Sequence, residues 1–192
     1  MSLKTKVKAG NITNLSDARY CAGMGVDWLG FPAKEVTPVI FKEITDWVTG
    51  PQFVLEVDSL EIMVEVSTYA TSTIQISILQ LSWINSIPGK DWIVTLRLSD
   101  WNKFKDELIA YKEKIAHLIV SLDDPQNLQT LLSSIHLHFQ ILVEFNGTEY
   151  SLHEILALPI DGINISGSNE MKPGLKDFEA LSSVLEELEV VD

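Results

Sequence analysis

Asp161-Gly162-Ile163-Asn164-Ile165-Ser166-Gly167-Ser168-Asn169-Glu170, continuing through Met171-Lys172-Pro173-Gly174-Leu175-Lys176-Asp177-Phe178 to Leu188, holds the repeating unit of the chain. Gly162 to Ser166 is a short apolar run of strand length. Beyond it Leu175, Phe178, Leu181, Leu185 and Leu188 recur at three- and four-residue steps, with Lys176, Asp177, Glu179, Glu186 and Glu187 on other faces. That is the pattern of an amphipathic helix with one buried stripe. Strand, turn and helix therefore follow one another here, and this last helix is expected to close the fold.

Working back toward the N-terminus, similar runs occur at Lys6-Ala9, Val26-Phe31, Phe53-Val57, Ile74-Ser77, Trp92-Leu98, His117-Val120 and Phe139-Val143, making eight in all, about 20 to 25 residues apart. Most are near-continuously apolar rather than alternating, as parallel strands covered on both faces require. The segments between them carry helix signals. Asn14 is placed to cap a helix with Asp17 in its first turn, and Thr37-Pro38 opens a helical segment over Val39-Val48 with proline at a favoured early position. Eight such alternations fit a closed (β/α)8 TIM barrel as a single domain over residues 1–192, where a doubly wound sheet more often has five or six strands. The length lies a little under the usual range for this fold, so the loops are expected to be short.

The 192 residues include 14 Lys and Arg against 27 Asp and Glu, a net charge of −13. An acidic chain without a dense basic run is a poor partner for nucleic acid or an anionic membrane surface. Cys21 is the single cysteine, which excludes an internal disulfide and a cysteine zinc cluster and fits a reducing compartment. With no signal-peptide pattern at the N-terminus and no apolar run of membrane-spanning length, the expected location is the cytoplasm.

Active sites of such barrels lie where the strands end, so the residues closing each run carry the chemistry. Here that rim includes Gly10, Asn11, Lys34, Asp58, Arg97, Asp100, Ser121, Asp123, Asp124 and Glu144, together with the turn Ser166, Gly167, Ser168 and Asn169. The turn has two readings: backbone N–H groups offered to a phosphate at a short helix start, or an ordinary turn.

Lys8-Ala9-Gly10-Asn11-Ile12-Thr13-Asn14, then Asp17-Ala18, then Gly25-Val26-Asp27-Trp28-Leu29-Gly30-Phe31 resembles the opening of phosphoribosylanthranilate isomerase. Near the other end, Asp161 to Glu170 with Pro173-Gly174-Leu175-Lys176-Asp177 resembles that family's final strand, its phosphate turn and its approach to the last helix. Val36-Thr37-Pro38 and Ile74-Gln75-Ile76-Ser77 extend the likeness collinearly through the middle. The resemblance implies an Amadori rearrangement in tryptophan biosynthesis, turning an aminoaldose phosphate into the aminoketose with one general base, one general acid and no cofactor. It also implies a small phosphorylated or anionic metabolite as ligand, held by Ser166, Gly167, Ser168 and Asn169, with Lys34 where the family has an Arg after its second strand and Arg97 matching an Arg on its fifth.

The acid and base roles are where the chain departs from the family. Alignment puts Gly10 where the family has its catalytic cysteine, and glycine accepts no proton. Cys21 lies inside the first helix, where it reads as a small buried hydrophobe. The family's acid position falls on Ser121, with Asp123 two residues on as the candidate acid; Asp123 and Asp124 also read as the start of the sixth helix. Val143-Glu144-Phe145 replaces a glycine pair that helps hold phosphate, and a carboxylate at Glu144 repels it. Lys34 keeps a positive charge without the bidentate fork and also reads as a solvated rim residue.

Two further constellations have ordinary counterparts. His136 and His138 have the spacing that puts both on one face of a strand, as in a metal site, though at the stability end of the barrel. The acidic rim residues Asp58, Asp100, Asp123, Asp124 and Glu144 could jointly hold Mg²⁺ or could be solvated loop carboxylates. Three functions follow: a working isomerase with another group in acid-base duty, a non-catalytic barrel binding a small anionic metabolite or a protein partner, or a changed chemistry built on the acidic rim; Gly10, Ser121 and Glu144 favour the second on mechanism, with isomerase activity expected to be impaired or lost.

Overall fold

A computed structural model describes residues 2–59, 65–87, 90–123, 128–147, 149–166 and 179–190. Eight parallel strands close into a barrel in sequence order: β1 (Lys6–Gly10), β2 (Trp28–Pro32), β3 (Gln52–Glu56), β4 (Thr73–Ser77), β5 (Asp91–Arg97), β6 (Ile115–Ser121), β7 (Gln140–Phe145) and β8 (Gly162–Ser166). Each lies within two residues of an apolar run in the sequence. Closure is made by β1 against β8, in register from Lys6 opposite Gly162 to Gly10 opposite Ser166. The chain is thus a (β/α)8 TIM barrel.

The described helices are α1 (Leu15–Met24), α2 (Pro38–Thr45), α3 (Trp101–Ala110), α4 (Leu128–His136), α5 (Leu152–Leu156) and α6 (Glu179–Leu188). Their starts follow local chemistry. The Asn14 side chain accepts the Asp17 amide at 2.9 Å, and Thr37 caps α2 with Pro38 at its first position. α2 stops at Thr45, short of the expected Val48, because the Trp47 and Val48 amides turn back to Ile44 and Thr45 in three-residue bonds that tighten the last turn. In α6, Leu181, Leu185 and Leu188 are buried as the heptad-like spacing requires, while Leu175 and Phe178 lie outside the described residues.

The crossover from β4 to β5 corrects the expectation of a uniform rhythm. It is a 3₁₀ helix, Ile78–Asn85, whose Ser77 and Gln80 form a capping box. Ile78, Leu81 and Ile84 are its buried residues, spaced by three, the period of a helix with three residues per turn. His136 and His138 are also relocated. His136 ends α4 and His138 sits in the turn before β7, so the pair shares no strand; His136 Nδ1 instead lies 3.4 Å from Asp161 Oδ2. Among the described residues, Asp58, Asp100, Asp123 and Glu144 of the acidic rim included, no three His, Cys, Asp or Glu side chains converge as metal ligands. No described helix is long and apolar enough to cross a membrane.

Alternation along each strand sorts the core into two zones. Outward residues such as Val7, Ala9, Leu29, Phe31, Ile74, Val94 and Ile163 pack under the helices in one large buried cluster, joined by Cys21 of α1. Inward residues Trp28, Val54, Ile93, Ile119 and Leu142 form a separate apolar plug across the barrel interior. On β1, Val7 and Ala9 face the helices as the outward residues of the other strands do, while both inward positions before Gly10 are lysines, Lys6 and Lys8. Below the plug, Lys6 lies over the Trp28 ring, and the Trp28 indole packs edge-on to His117 with ring centroids 4.7 Å apart.

His117 supplies the first prediction. Burial and the neighbouring Lys6 ammonium push its pKa down, against a weaker upward pull from Asp161, Gln140 and Asp27. The folded chain therefore binds fewer protons here than the unfolded chain. Stability from the neutral ring is complete above the ordinary imidazole value of about 6.5 and is lost as the pH falls through the depressed native value. Urea midpoints measured from pH 8 down to pH 5 should fall, and His117→Gln should flatten part of that slope. Parallel curves for the two proteins would show that another group is responsible.

Candidate active site at the barrel mouth

Three strands each place one polar residue inside the barrel above the apolar plug. Lys8 of β1 is fully buried, and its Nζ lies 2.6 Å from Glu56 Oε1 of β3 and 3.2 Å from Asn164 Oδ1 of β8. The Glu56 side chain retains 18% exposure, and its Oε2 accepts the Asn11 amide at 3.2 Å. Asn11 sits at φ 59, a left-handed conformation that asparagine tolerates better than most residues. Two glycines make the space. A Cβ at Gly10 would come within 2.8 Å of Glu56 Oε1 and 3.2 Å of Lys8 Nζ, and one at Gly30 would overlap the same carboxylate. The space beside position ten is thus filled by the Glu56 carboxylate, which reaches across from β3, two strands away.

Glu56 and Asn164 of this cluster line a cavity of about 540 Å³ at the C-terminal ends of the strands, together with Gln75, Thr95, Arg97, Glu144 and Ser166, and Lys8 lies buried behind them. An adjoining hollow of about 480 Å³ shares Glu56, Gln75, Ser77 and Thr95 and extends to Lys34 and Asp58. Gln75 lines both hollows, while its Oε1 is buried with no hydrogen-bond partner in the protein. Leu79, 79% exposed, stands at the lip of both hollows.

The residues expected from sequence fall around this mouth unevenly. Arg97 and Ser166 line the central cavity, and Lys34 lines the adjoining hollow. Arg97 Nε donates to Asp100 Oδ2 at 3.0 Å and lies 3.9 Å from Asp123 Oδ2; the Asp100 hydrogen bond and charge raise its pKa further. The guanidinium has other N–H donors in addition to Nε. Asp123 lies to one side, in a hollow of about 280 Å³ with Ser121, Glu144 and Tyr150. Its carboxylate accepts both the Ser99 amide at 2.9 Å and the Ser99 hydroxyl at 2.6 Å. Partial burial pushes its pKa up, but the Ser99 bonds and the Arg97 charge outweigh this and hold it below the usual carboxylate value. Ser121 donates its hydroxyl to Glu144, so the replacements at those two positions bond each other. Gly167, Ser168, Asn169 and Asp124 lie outside the described residues.

Lys8, Glu56 and Asn164 were missed as site residues, although each carried a signal. All three interrupt apolar runs, and in a strand covered on both faces an embedded polar side chain has only the barrel interior to enter.

No protein-family model matches the chain, and no curated protein sequence does either. Solved structures do match in fold. TrpF from Jonesia denitrificans is 14% identical over 95% of both chains, with a TM-score of 0.66. Orotidine 5'-monophosphate decarboxylase from Methanocaldococcus jannaschii is 12% identical over 98% of this chain and 100% of its own, with a TM-score of 0.65. HMG-CoA lyase from Bacillus subtilis is 12% identical over 99% and 88%, with a TM-score of 0.70. These likenesses show a shared TIM-barrel fold. Three differently named enzymes on one scaffold leave function to the side chains at the mouth.

Proposed function

We propose that the barrel mouth is the active site of a proton-transfer enzyme acting on a small phosphorylated metabolite, with aldose–ketose isomerisation of the phosphoribosylanthranilate type as its reaction. One observation carries this reading: a fully buried lysine is held against a partly exposed carboxylate at the floor of the mouth cavity. Fold stability does not call for such a pair, since a buried ion pair replaced by apolar side chains is often neutral or stabilising. Its place at the C-terminal end of a TIM barrel is that of reacting groups.

The surrounding residues suit the proposed substrate. Arg97 offers guanidinium N–H groups to an anionic substituent. Ser166 ends β8 where the resemblance to the isomerase family places the phosphate turn. The fold shared with TrpF is compatible with the same reaction. The geometry does not favour Asp123 as the acid, because Ser99 stabilises the ionised form that cannot donate.

Steady-state isomerisation of phosphoribosylanthranilate by the unmodified protein tests the reading. Turnover above buffer background is expected; none would leave a barrel that binds an anionic metabolite without converting it. Arg97→Ala should raise KM about tenfold or more, the worth of one hydrogen bond to a charged group, with a smaller change in kcat. An unchanged KM would remove Arg97 from the binding site.

A further inference from the structure

We infer that Glu56 is the proton acceptor of this site and that Lys8 positions it. The inference rests on the proton-transfer reading above and assigns its base. Glu56 combines the properties that role needs: its Oε1 lies 2.6 Å from Lys8 Nζ, it lines both hollows of the mouth, and it keeps 18% exposure while Lys8 has none. Each carboxylate oxygen already accepts one bond, Oε1 from Lys8 and Oε2 from Asn11, and an oxygen of this kind has a further lone pair for an incoming proton. Gly10 and Gly30 are the reason the group can stand there, because a side chain at either would occupy its place.

The step balances within the substrate. Glu56 takes the proton from the carbon next to a protonated C=N group. The released C–H pair forms a C=C bond, and the former C=N π pair returns to nitrogen. Glu56 then returns its proton to the carbon that was bonded to nitrogen as C=N, and the enaminol hydroxyl proton leaves to solvent as the ketone forms, replacing the solvent proton that made the C=N group cationic, so nothing is oxidised or reduced overall. Lys8 acts through Glu56 by holding the carboxylate in one orientation and touches no reacting atom.

The test uses the full chain and phosphoribosylanthranilate. Glu56→Gln should lower kcat by about a hundredfold or more, the usual worth of a positioned base, with KM little changed. Glu56→Ala vacates the space beside position ten, so adding Gly10→Cys to Glu56→Ala places a thiol there and should restore part of the rate that Glu56→Ala loses, which a merely structural role for Glu56 would not produce. Should Glu56→Gln prove unfolded by circular dichroism, Lys8→Met/Glu56→Gln removes the unpaired charge and is expected to fold and stay inactive. Activity of Glu56→Gln near that of the parent overturns this assignment while leaving the isomerase reading intact. Absence of turnover in the unmodified protein overturns both.

Discussion

Glu56→Leu should cost about 3–5 kcal/mol of stability, because it leaves the Lys8 ammonium inside the barrel with Asn164 as its remaining partner. In a chain of this size that corresponds to a fall in Tm of about 10 °C or more. The reciprocal change should cost less. Lys8→Met leaves a carboxylate that still accepts the Asn11 amide and opens on the cavity, so the loss should be nearer 1–2 kcal/mol, about that of one charged hydrogen bond. Lys8→Met/Glu56→Leu should regain most of what Glu56→Leu loses, since no charge is then left buried without its partner. A double-mutant cycle by urea denaturation measures all three. Equal costs for the two single variants would mean that Lys8 reaches solvent.

Gly162→Ala should be as damaging by a different route. A Cβ at Gly162 would overlap the Lys6 carbonyl oxygen and come within 2.9 Å of the Lys6 carbonyl carbon and Cβ. Those are mainly backbone atoms of β1, fixed in the pairing that closes the barrel, so the strand itself has to move. Overpacking against side chains typically costs about 1–3 kcal/mol, and a backbone obstacle puts this substitution at the top of that range, about 3 kcal/mol or more. Gly23→Ala provides the contrast, because a Cβ there meets nothing within 4 Å. It replaces a glycine inside α1 with a better helix former and should gain about 0.5–1 kcal/mol. Thermal melts of the two variants should therefore shift in opposite directions.

The strands were legible because most are near-continuously apolar and bounded by turn residues, a pattern that tertiary context reinforces. The crossover after β4 was less so: Ile78, Leu81 and Ile84 mark a three-residue period, and the neighbouring Leu79 blurs it by adding an apolar residue that stays exposed. The H-x-H spacing misled because periodicity alone does not show where α4 ends and β7 begins. At the site, the rim positions of Arg97, Ser166 and Lys34 followed from counting strand ends. The pairing of Lys8 with Glu56 did not, since it joins residues 48 apart across two strands that are not neighbours in the barrel. Position ten shows the limit most clearly. Glycine there reads as a lost proton acceptor, and only the inward turn of β3 reveals what fills the space.

The two lysines on the inward side of β1 have a consequence for how the barrel comes together. Sliding β1 by one residue against β8 would exchange its two sides, driving both ammonium groups into the aliphatic layer beneath the helices and stranding Glu56 without its counterion. A strand made of uniformly greasy residues would tolerate that misalignment; this one penalises it by two buried charges. The lysines thus act as a built-in proofreading device, admitting a single alignment at the seam where the first and last strands meet.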